Sequence, residues 1–285
     1  MMIGEMERTF CSAVSHVAGG PLLVALHGAG STGVGMAALT GLAERGPAAG
    51  CTVVFPDGRG RVWNDERAAP SLARRSGVDD VGFIKRLVDR FLEQRSGDVS
   101  AVYATGISNG ALMSEHLARH SLVDLAGIAL VAGTAAVTSR DGAPIPLRGA
   151  RVLMFEGTAD PLIPYGGGPI GPFGRMAARR SQRTGRQPGR GIAAPAEQVA
   201  ADWAAACSAS PVPRVDRWEP PGDLPVTRLA WSSARREEVV LYRVEGGGHT
   251  WPGGPQYLPA SIIGPVARGL DATGIILDLV CGTRS

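Results

Sequence analysis

Short, continuous apolar segments recur along this chain, and each is followed by a turn that contains polar residues or glycine. Leu22–Leu26 is followed by His27, and residues 52–55 are followed by Pro56 and Asp57. Apolar segments of this length, without a polar residue at every second position, are typical of strands buried on both faces. The pattern therefore predicts a parallel sheet that helices cover.

The rest of the chain continues the alternation of strands and helices. The helix with the clearest pattern begins at Asp79 and Asp80 and repeats apolar side chains with helical spacing up to Leu92. Further strands are predicted at residues 99–105, 125–131, 152–156, 226–231 and 238–244, and further helices at 34–44, 109–119, 197–206 and 271–281. Such alternation indicates an α/β fold with a mostly parallel central sheet and helices on both faces.

The chain length and one long irregular segment determine the predicted domain organisation. The 285 residues suffice for one large core, so we predict a single domain over residues 1–285. Residues 164–195 are rich in Gly and Arg and show no periodic pattern, and loops of this length are usually functional or disordered. We therefore treat residues 164–195 as a candidate lid or flexible loop.

The formal net charge is only +3, but six arginines lie close together. They occupy a stretch that has no acidic residue between Asp160 and Glu197: Arg175, Arg179, Arg180, Arg183, Arg186 and Arg190. No aromatic side chain is interleaved with them and no helical period relates them, which argues against a nucleic-acid-binding surface. The segment is either a solvated loop or a flap that meets an anionic substrate or surface.

The first residues, the apolar stretches and the cysteines exclude several classes of protein. Glu5 and Glu7 stand where an export signal needs basic and apolar residues, so we expect an intracellular or a trimmed chain. The most apolar stretch, residues 122–137, is too short to span a membrane. The cysteines lack the spacing of a zinc or dithiol site, so no metal is predicted and their disulfide pairing stays open: Cys11, Cys51, Cys207 and Cys281.

A nucleophile motif lies between a predicted strand and a predicted helix. Gly106-Ile107-Ser108-Asn109-Gly110 matches G-x-S-x-G, in which the glycines permit a sharp turn that lifts the serine above the sheet. A serine hydroxyl needs a base to take its proton before it can attack an ester. The motif predicts Ser108 as the nucleophile of a hydrolase.

Asp160 and His249 complete the chain order of nucleophile, acid and histidine that such hydrolases use. Asp160 follows a predicted strand, and His249 follows three glycines in the turn after the last predicted strand. We predict His249 as the base and Asp160 as the residue that orients it, although an Asp before Pro is also a common turn former. Asp57, the other candidate acid, precedes the nucleophile, and we expect it to close a turn.

Two backbone N–H groups are predicted to bind the oxyanion that forms during ester cleavage. One belongs to Asn109, directly after the nucleophile at a helix N-terminus, and the other to Ala29 in the loop after the first apolar strand. His27 adjoins this loop and is expected to shape it. The remaining histidines are less well placed to act as the base: His16, His116 and His120.

The same loop also matches a different motif. Residues 28–33 spell G-x-G-x-x-G after a strand, with Asp57 at the end of the next strand, as in dinucleotide-binding folds. A nicotinamide-dependent oxidoreductase is therefore the alternative function. It would leave the predicted triad unexplained, and Gly35 and Gly41 weaken the helix that should follow. A non-catalytic binding module on a hydrolase scaffold is a third possibility, which an intact triad disfavours.

A series of ordered motifs resembles those of the poly(3-hydroxybutyrate) depolymerase and feruloyl-esterase-like family. They are Leu26-His27-Gly28, Val54-Phe55-Pro56-Asp57-Gly58, Val62-Trp63-Asn64-Asp65, Asp79-Asp80-Val81-Gly82-Phe83-Ile84, the serine motif, Gly157-Thr158-Ala159-Asp160-Pro161 and Gly248-His249-Thr250-Trp251-Pro252. The resemblance implies an α/β-hydrolase fold, no cofactor, and cleavage of esters of hydroxyalkanoate oligomers or of aromatic acids. It implies the same triad and the same oxyanion residues, matched position by position.

The resemblance leaves the substrate pocket and the location of the protein open. Trp63 and Trp251 fall within its motifs and either wall the acyl or aromatic pocket or pack beneath the loops. Relatives are commonly exported, whereas the N-terminus of this chain shows no signal. The expected partner is a small or polymeric ester, with no nucleic acid and no membrane, and the oligomeric state is undetermined.

Overall fold

The computed structural model describes residues 2–3, 6–65, 77–94, 99–134, 151–171, 191–234 and 236–282. The strands are β1 (Met2–Ile3), β2 (Met6–Glu7), β3 (Phe10–Ala13), β4 (Leu22–Leu26), β5 (Thr52–Pro56), β6 (Val102–Ile107), β7 (Gly127–Val131), β8 (Arg151–Gly157), β9 (Gly168–Pro169), β10 (Ile192–Ala193), β11 (Arg214–Trp218), β12 (Val226–Ser232) and β13 (Glu237–Val244). The helices are α1 (Gly33–Thr40), α2 (Leu42–Ala48), α3 (Asp80–Gln94), α4 (Asn109–Arg119), α5 (Ala196–Ala206), α6 (Ala260–Ile263) and α7 (Ala272–Cys281).

Within the described ranges, nine of these strands form one central sheet in the order β11-β12-β13-β8-β7-β6-β4-β5-β3. The strands from β13 to β5 in that order are parallel. At the edges, β3 pairs with β5, β12 with β13 and β11 with β12, each pair in antiparallel orientation. Parallel strands end at the same edge of a sheet, so the loops that follow β4, β6, β8 and β13 meet there. The predicted, mostly parallel sheet is confirmed.

Helices cover both faces of this sheet. Side chains of α3, α4 and α5, among them Phe83 and Trp203, pack in a core cluster on one face. Side chains of α1, α2 and α7, among them Met36 and Ile276, pack in a cluster on the other face. Successive residues of β4 alternate between the two clusters, as the pleat of a strand requires. The predicted α/β class with two covered faces is therefore confirmed.

The helices and strands of the structure differ from the sequence prediction in two ways. The helix predicted over residues 34–44 is interrupted at Gly41, whose φ of 66° ends α1, and α2 starts directly after it. The edge strands β3 and β11 are not apparent in the sequence pattern. No residue of β11 is buried, so an edge strand of this kind lacks the apolar segment that signals a central one.

Only the two ends of the candidate lid are described. The strands β9 and β10 pair with each other in an antiparallel ribbon, so the two described ends of the segment lie side by side. The arginine cluster of residues 175–190 lies outside the described residues. Of the helices that are described, none combines the length and the apolar character needed to cross a bilayer.

A buried ion pair attaches the region before β3 to α3. Arg8 Nη2 lies 2.6 Å from Asp80 Oδ1, and the two side chains are 4% and 0% exposed. The same guanidinium donates to the carbonyl of Asp57, and the N–H of Asn64 donates to Asp80 Oδ2 at 2.7 Å. Burial raises the pKa of Asp80, whereas the bonds from Asn64 and Arg8 act in the opposite direction. Arg8 thus compensates a carboxylate that water does not reach.

Replacing Arg8 by Met is expected to lower the free energy of unfolding by about 3 to 5 kcal/mol, because a buried charge loses its partner. The control is Arg45→Met, because the pair between Arg45 and Asp271 is about half exposed and such a pair contributes at most about 1 kcal/mol. Urea unfolding followed by circular dichroism at neutral pH measures both changes. Equal losses in the two variants would show that the buried pair has no special importance.

Candidate active site

The serine motif forms a sharp turn between β6 and α4. Ser108 has φ 57° and ψ −122°, a left-handed region that side chains other than glycine adopt only at an energetic cost. A Cβ atom on Gly106 would lie 2.4 Å from the carbonyl carbon of Gly110, and a Cβ on Gly110 would lie 2.1 Å from the carbonyl oxygen of Leu26. Both positions therefore require glycine, as the motif predicts, and Ser108 remains half-buried at the edge of the sheet.

Two neighbouring loops pack against this turn. The N–H of Ser108 donates to the carbonyl of Val131 at 2.9 Å, which ties the turn to the end of β7. A Cβ on Gly133 would lie 2.8 Å from the carbonyl oxygen of Ser108, and a Cβ on Gly28 would lie 3.4 Å from the Cβ of Ser108. The loop that contains Ala29 thus lies directly beside the predicted nucleophile.

His249 and Asp160 are joined by a buried hydrogen bond. His249 Nδ1 lies 2.7 Å from Asp160 Oδ2, and the two residues are 3% and 7% exposed. The other carboxylate oxygen accepts the N–H groups of Leu162 and Ile163 at 2.7 and 2.9 Å. An ionised carboxylate only accepts hydrogen bonds, so Nδ1 carries the proton and Nε2 is left with a free lone pair.

Glycines bring the loops of this pair together. The N–H of Ala159 donates to the carbonyl of Gly247 at 2.9 Å, and a Cβ on Gly157 would lie 2.3 Å from that same oxygen. A Cβ on Gly248 would lie 2.1 Å from the carbonyl oxygen of Ile263. Of the glycines before His249, Gly248 is needed for this close backbone contact, and Gly246 has a φ of 73° that favours glycine.

Ser108, Asp160 and His249 all follow strands of the parallel part of the sheet and lie at its carboxyl edge. No hydrogen bond joins the hydroxyl of Ser108 to His249 in the described part of the chain. The hydroxyl moves by rotation about one single bond, and hydrogen bonds of this kind often shorten only when substrate binds. The arrangement therefore brings the acid and the histidine into contact, with the serine on the same edge.

The predicted oxyanion donors are the backbone N–H groups of Ala29 and Asn109. Ala29 is exposed, next to Gly28 in the loop beside Ser108. Asn109 is the first residue of α4, where backbone N–H groups point out of the helix without an intrahelical partner. Neither N–H group has a hydrogen-bond partner among the described residues. Both groups are thus available to bind an oxyanion.

The side chain of Asn109 has a second role that the sequence pattern does not signal. Its Oδ1 accepts the N–H of Trp63 at 2.7 Å, and its Nδ2 donates to the carbonyl of Trp63 at 3.1 Å and to Asp65 Oδ2 at 2.9 Å. The partners stand 44 and 46 positions apart in the chain, so no local pattern indicates the contact. Asn109 thereby fixes the loop at residues 62–65 to the serine turn.

Comparison with known proteins identifies the family. No protein-family model matches the chain. Over 277 residues it is 31% identical to NocK of Nocardia uniformis subsp. tsuyamanensis, a protein whose name describes an esterase, and the match covers 93% of this chain and 75% of that one. The chain belongs to this esterase family. It is accordingly a carboxylic ester hydrolase.

A solved structure supports the fold of the esterase. An acetyl xylan esterase from Aspergillus awamori superposes with a TM-score of 0.55, covering 85% of this chain and 88% of that one. The two sequences are only 17% identical, so the likeness concerns the fold and not the substrate. The predicted α/β-hydrolase fold is confirmed at this level.

Trp63 and Trp251, the two tryptophans within the family motifs, are buried beneath the loops. Trp63 is 1% and Trp251 0% exposed. The indole N–H of Trp63 donates to the carbonyl of His27, and that of Trp251 donates to Thr273 Oγ1, both at 2.9 Å. Of the two roles considered for these tryptophans, their burial fits packing beneath the loops and not lining an open pocket. Neither tryptophan is part of the site proposed below.

His27 and Asp57 stabilise the loops around Gly28. Because the N–H of Gly58 donates to His27 Nε2 at 2.9 Å, the Nδ1 atom carries the proton and donates to the carbonyl of Gly28 at 2.8 Å. Burial lowers the pKa of His27, which favours this neutral form. Asp57 accepts the N–H of Gly33 and the hydroxyl of Thr9. Both carboxylate oxygens are therefore engaged, whereas the dinucleotide alternative needs this side chain for a ribose hydroxyl.

The described ends of the candidate lid lie beside the serine helix. Ile163 and Ala193 pack with Leu112, one turn after Ser108 in α4, and Ile170 packs against them. The hydroxyl of Thr134 donates to the carbonyl of Ala194 at 3.2 Å. The segment between β9 and β10 therefore begins and ends next to the candidate site of the esterase.

Glu156 is a buried acid behind the site that the sequence analysis did not identify. It is 1% exposed, and its Oε1 accepts the N–H of Gly133 at 3.1 Å. Burial raises the pKa of Glu156 well above its ordinary value of 4.5, the bond from Gly133 lowers it, and the charges of Asp160 and Glu115 raise it further. The carboxyl of Glu156 thus holds the turn that packs against Ser108.

Replacing Glu156 by Gln is expected to make stability less dependent on pH. In the wild type the unfolded chain releases the proton of Glu156 above about pH 4.5, whereas the folded chain retains it, so stability falls as the pH rises until the folded protein also ionises. The unfolding free energy of the variant relative to the wild type is therefore expected to increase by up to about 1.4 kcal/mol per pH unit in that range. Urea unfolding between pH 5 and 9 measures this difference.

The matched control is Glu93→Gln, a change at an exposed position of α3. Its stability relative to the wild type is expected to stay constant over the same series. A constant difference for Glu156→Gln as well would mean that Glu156 is ionised in the folded esterase.

Proposed function

We propose that this esterase cleaves carboxylic esters through an acyl-enzyme on Ser108, with His249 as the base and Asp160 as the residue that orients it. The observation that carries the proposal is the buried bond of 2.7 Å between His249 Nδ1 and Asp160 Oδ2, at the same sheet edge as the strained Ser108. This bond leaves Nε2 as a proton acceptor. Membership in an esterase family supports the reaction class.

In the first step Ser108 Oγ attacks the carbonyl carbon of the ester while its proton moves to His249 Nε2. The carbonyl oxygen becomes an oxyanion, and the N–H groups of Ala29 and Asn109 bind it. The carbon–oxygen bond to the alcohol then breaks, and His249 donates the proton to the departing alcohol oxygen. The acyl group remains attached to Ser108.

In the second step water replaces the alcohol. His249 takes a proton from water, the hydroxide oxygen attacks the acyl carbon, and the proton returns to Ser108 as the acid leaves. Asp160 remains ionised throughout and stabilises the positive imidazole that forms twice in each cycle.

The proposed substrates are esters of hydroxyalkanoates or of feruloyl-type aromatic acids. The support comes from the motifs that resemble the poly(3-hydroxybutyrate) depolymerase and feruloyl-esterase-like family, which span residues 26–252 of this chain. A substrate panel of 3-hydroxybutyrate oligomers and methyl ferulate, assayed beside p-nitrophenyl acetate, separates the two classes. A kcat/KM for both that lies far below the value for p-nitrophenyl acetate would reject this substrate assignment.

Ser108→Ala and His249→Ala are each expected to lower kcat on p-nitrophenyl butyrate by about a millionfold, because the two side chains act as a unit. Asp160→Asn is expected to lose less, about ten-thousandfold, because it disturbs only the orientation of the imidazole. Release of p-nitrophenol without any added cofactor measures these rates. Circular dichroism establishes that each variant is folded.

Matched controls change the same residue types at exposed positions. His120 and Asp124 lie at the surface after α4. The variants His120→Ala and Asp124→Asn are therefore expected to retain wild-type kcat and KM. Wild-type activity in a folded Ser108→Ala variant would exclude the proposed nucleophile. Wild-type activity in Asp160→Asn would remove the acid from the mechanism.

A further inference from the structure

One short segment beside His249 carries an unusual share of the exposed apolar side chains. Among the described residues, nine large apolar side chains are exposed, and three of them lie within positions 257–262. These are Tyr257, Leu258 and Ile262, which are 40%, 44% and 51% exposed. Single exposed apolar residues are ordinary, whereas a cluster on one surface usually marks a contact site. We call residues 257–262 the histidine-side segment.

The histidine-side segment and the residue after it are hydrogen-bonded to the backbone of His249. The hydroxyl of Tyr257 donates to the carbonyl of His249 at 2.7 Å, and the N–H of His249 donates to the carbonyl of Ile263 at 2.6 Å. A Cβ on Gly264 would lie 2.5 Å from the Cα of Gly248, so the backbones of these two loops are in direct contact. The exposed side chains therefore lie on a segment that these hydrogen bonds hold next to His249.

The segment and its surroundings in the chain carry no charge. No Asp, Glu, Lys or Arg occurs between His249 and Arg268, although such residues make up 19% of the whole chain. Burial of its hydroxyl end and the negative charge of Asp160 raise the pKa of Tyr257, so its hydroxyl stays a neutral donor. A surface of this composition binds a neutral, apolar group and gives no attraction to an anion.

The chemistry of the site indicates which part of an ester lies here. In the proposed mechanism His249 Nε2 donates a proton to the departing alcohol oxygen, so the alcohol must lie next to the imidazole. We propose that the histidine-side segment binds the apolar alcohol portion of the ester, with Leu258 and Ile262 as specificity-determining residues and Tyr257 as a positioning residue for His249. This assignment rests on the proposed function.

The test compares acetate esters whose alcohols increase in length: methyl, butyl and hexyl acetate. The double variant Leu258→Ser, Ile262→Ser is expected to lose about tenfold in kcat/KM on hexyl acetate and to keep the wild-type value on methyl acetate. Acid release in a pH-stat measures kcat/KM, which includes every step up to departure of the alcohol. The control Val212→Ser, Val215→Ser changes two exposed apolar residues, one just before β11 and one within it, and is expected to change neither value.

A separate variant tests the link between the segment and His249. Tyr257→Phe keeps the apolar ring but removes the hydroxyl that donates to His249. It is expected to lower kcat about equally on all three acetates, with KM and the preference for the longer alcohol unchanged. A loss confined to hexyl acetate would overturn the positioning role of Tyr257.

The outcomes separate this inference from the proposed function. Wild-type protein that hydrolyses none of the esters contradicts the proposed function. Wild-type protein with the same kcat/KM on all three acetates, or a serine double variant that loses equally on all of them, overturns only the alcohol site. A series of p-nitrophenyl acetate, butyrate and hexanoate varies the acyl group and keeps the alcohol constant. A serine double variant whose preference changes only among these esters would also overturn the proposed alcohol site.

Discussion

Backbone segments at the carboxyl edge of the sheet approach each other so closely that several positions admit no side chain. The serine turn contacts the end of β4 through Gly110, and the acid loop contacts the histidine loop through Gly157. A Cβ at either position would lie within 2.4 Å of a backbone oxygen, far inside van der Waals contact. This contact determines where Ser108, Asp160 and His249 lie relative to one another. The hydrogen bonds of the site depend on it.

Buried polar groups support this edge from below. Asn109 ties the loop at residues 62–65 to the serine turn. The carboxyl of Glu156 holds the turn after β7, which packs against Ser108. Arg8 and Asp80 hold the far side of the loop through Asn64. Polar groups this deep are costly unless every one has a partner. In this protein these buried polar contacts fix the positions of the loops around the site.

Much of the architecture is predictable from the sequence, for identifiable reasons. The central strands are continuous apolar segments, and α3 repeats apolar residues with helical spacing, so tertiary contacts reinforce a local pattern. The serine turn is also predictable, because Gly106 and Gly110 have no alternative at their positions. The order of Ser108, Asp160 and His249 along the chain places these residues after parallel strands, which end at one edge.

Other features depend on contacts that no local pattern encodes. Asn109 bonds to residues more than forty positions away, and Glu156 differs from its apolar neighbours in β8 without any signal of its partner. The edge strand β11 has exposed side chains on both faces and so resembles a loop in sequence. Trp63 and Trp251 fit a packing role and a ligand role equally well in sequence, and only their burial distinguishes the two.

Covalent labelling tests the central claim most directly. A fluorophosphonate reacts with a serine only when a neighbouring base activates it, and digestion with mass spectrometry locates the adduct. We expect one adduct per chain on the peptide that contains Ser108, and a labelling rate that falls sharply in a folded His249→Ala variant. An adduct on a different serine, or labelling at an unchanged rate without His249, would contradict it.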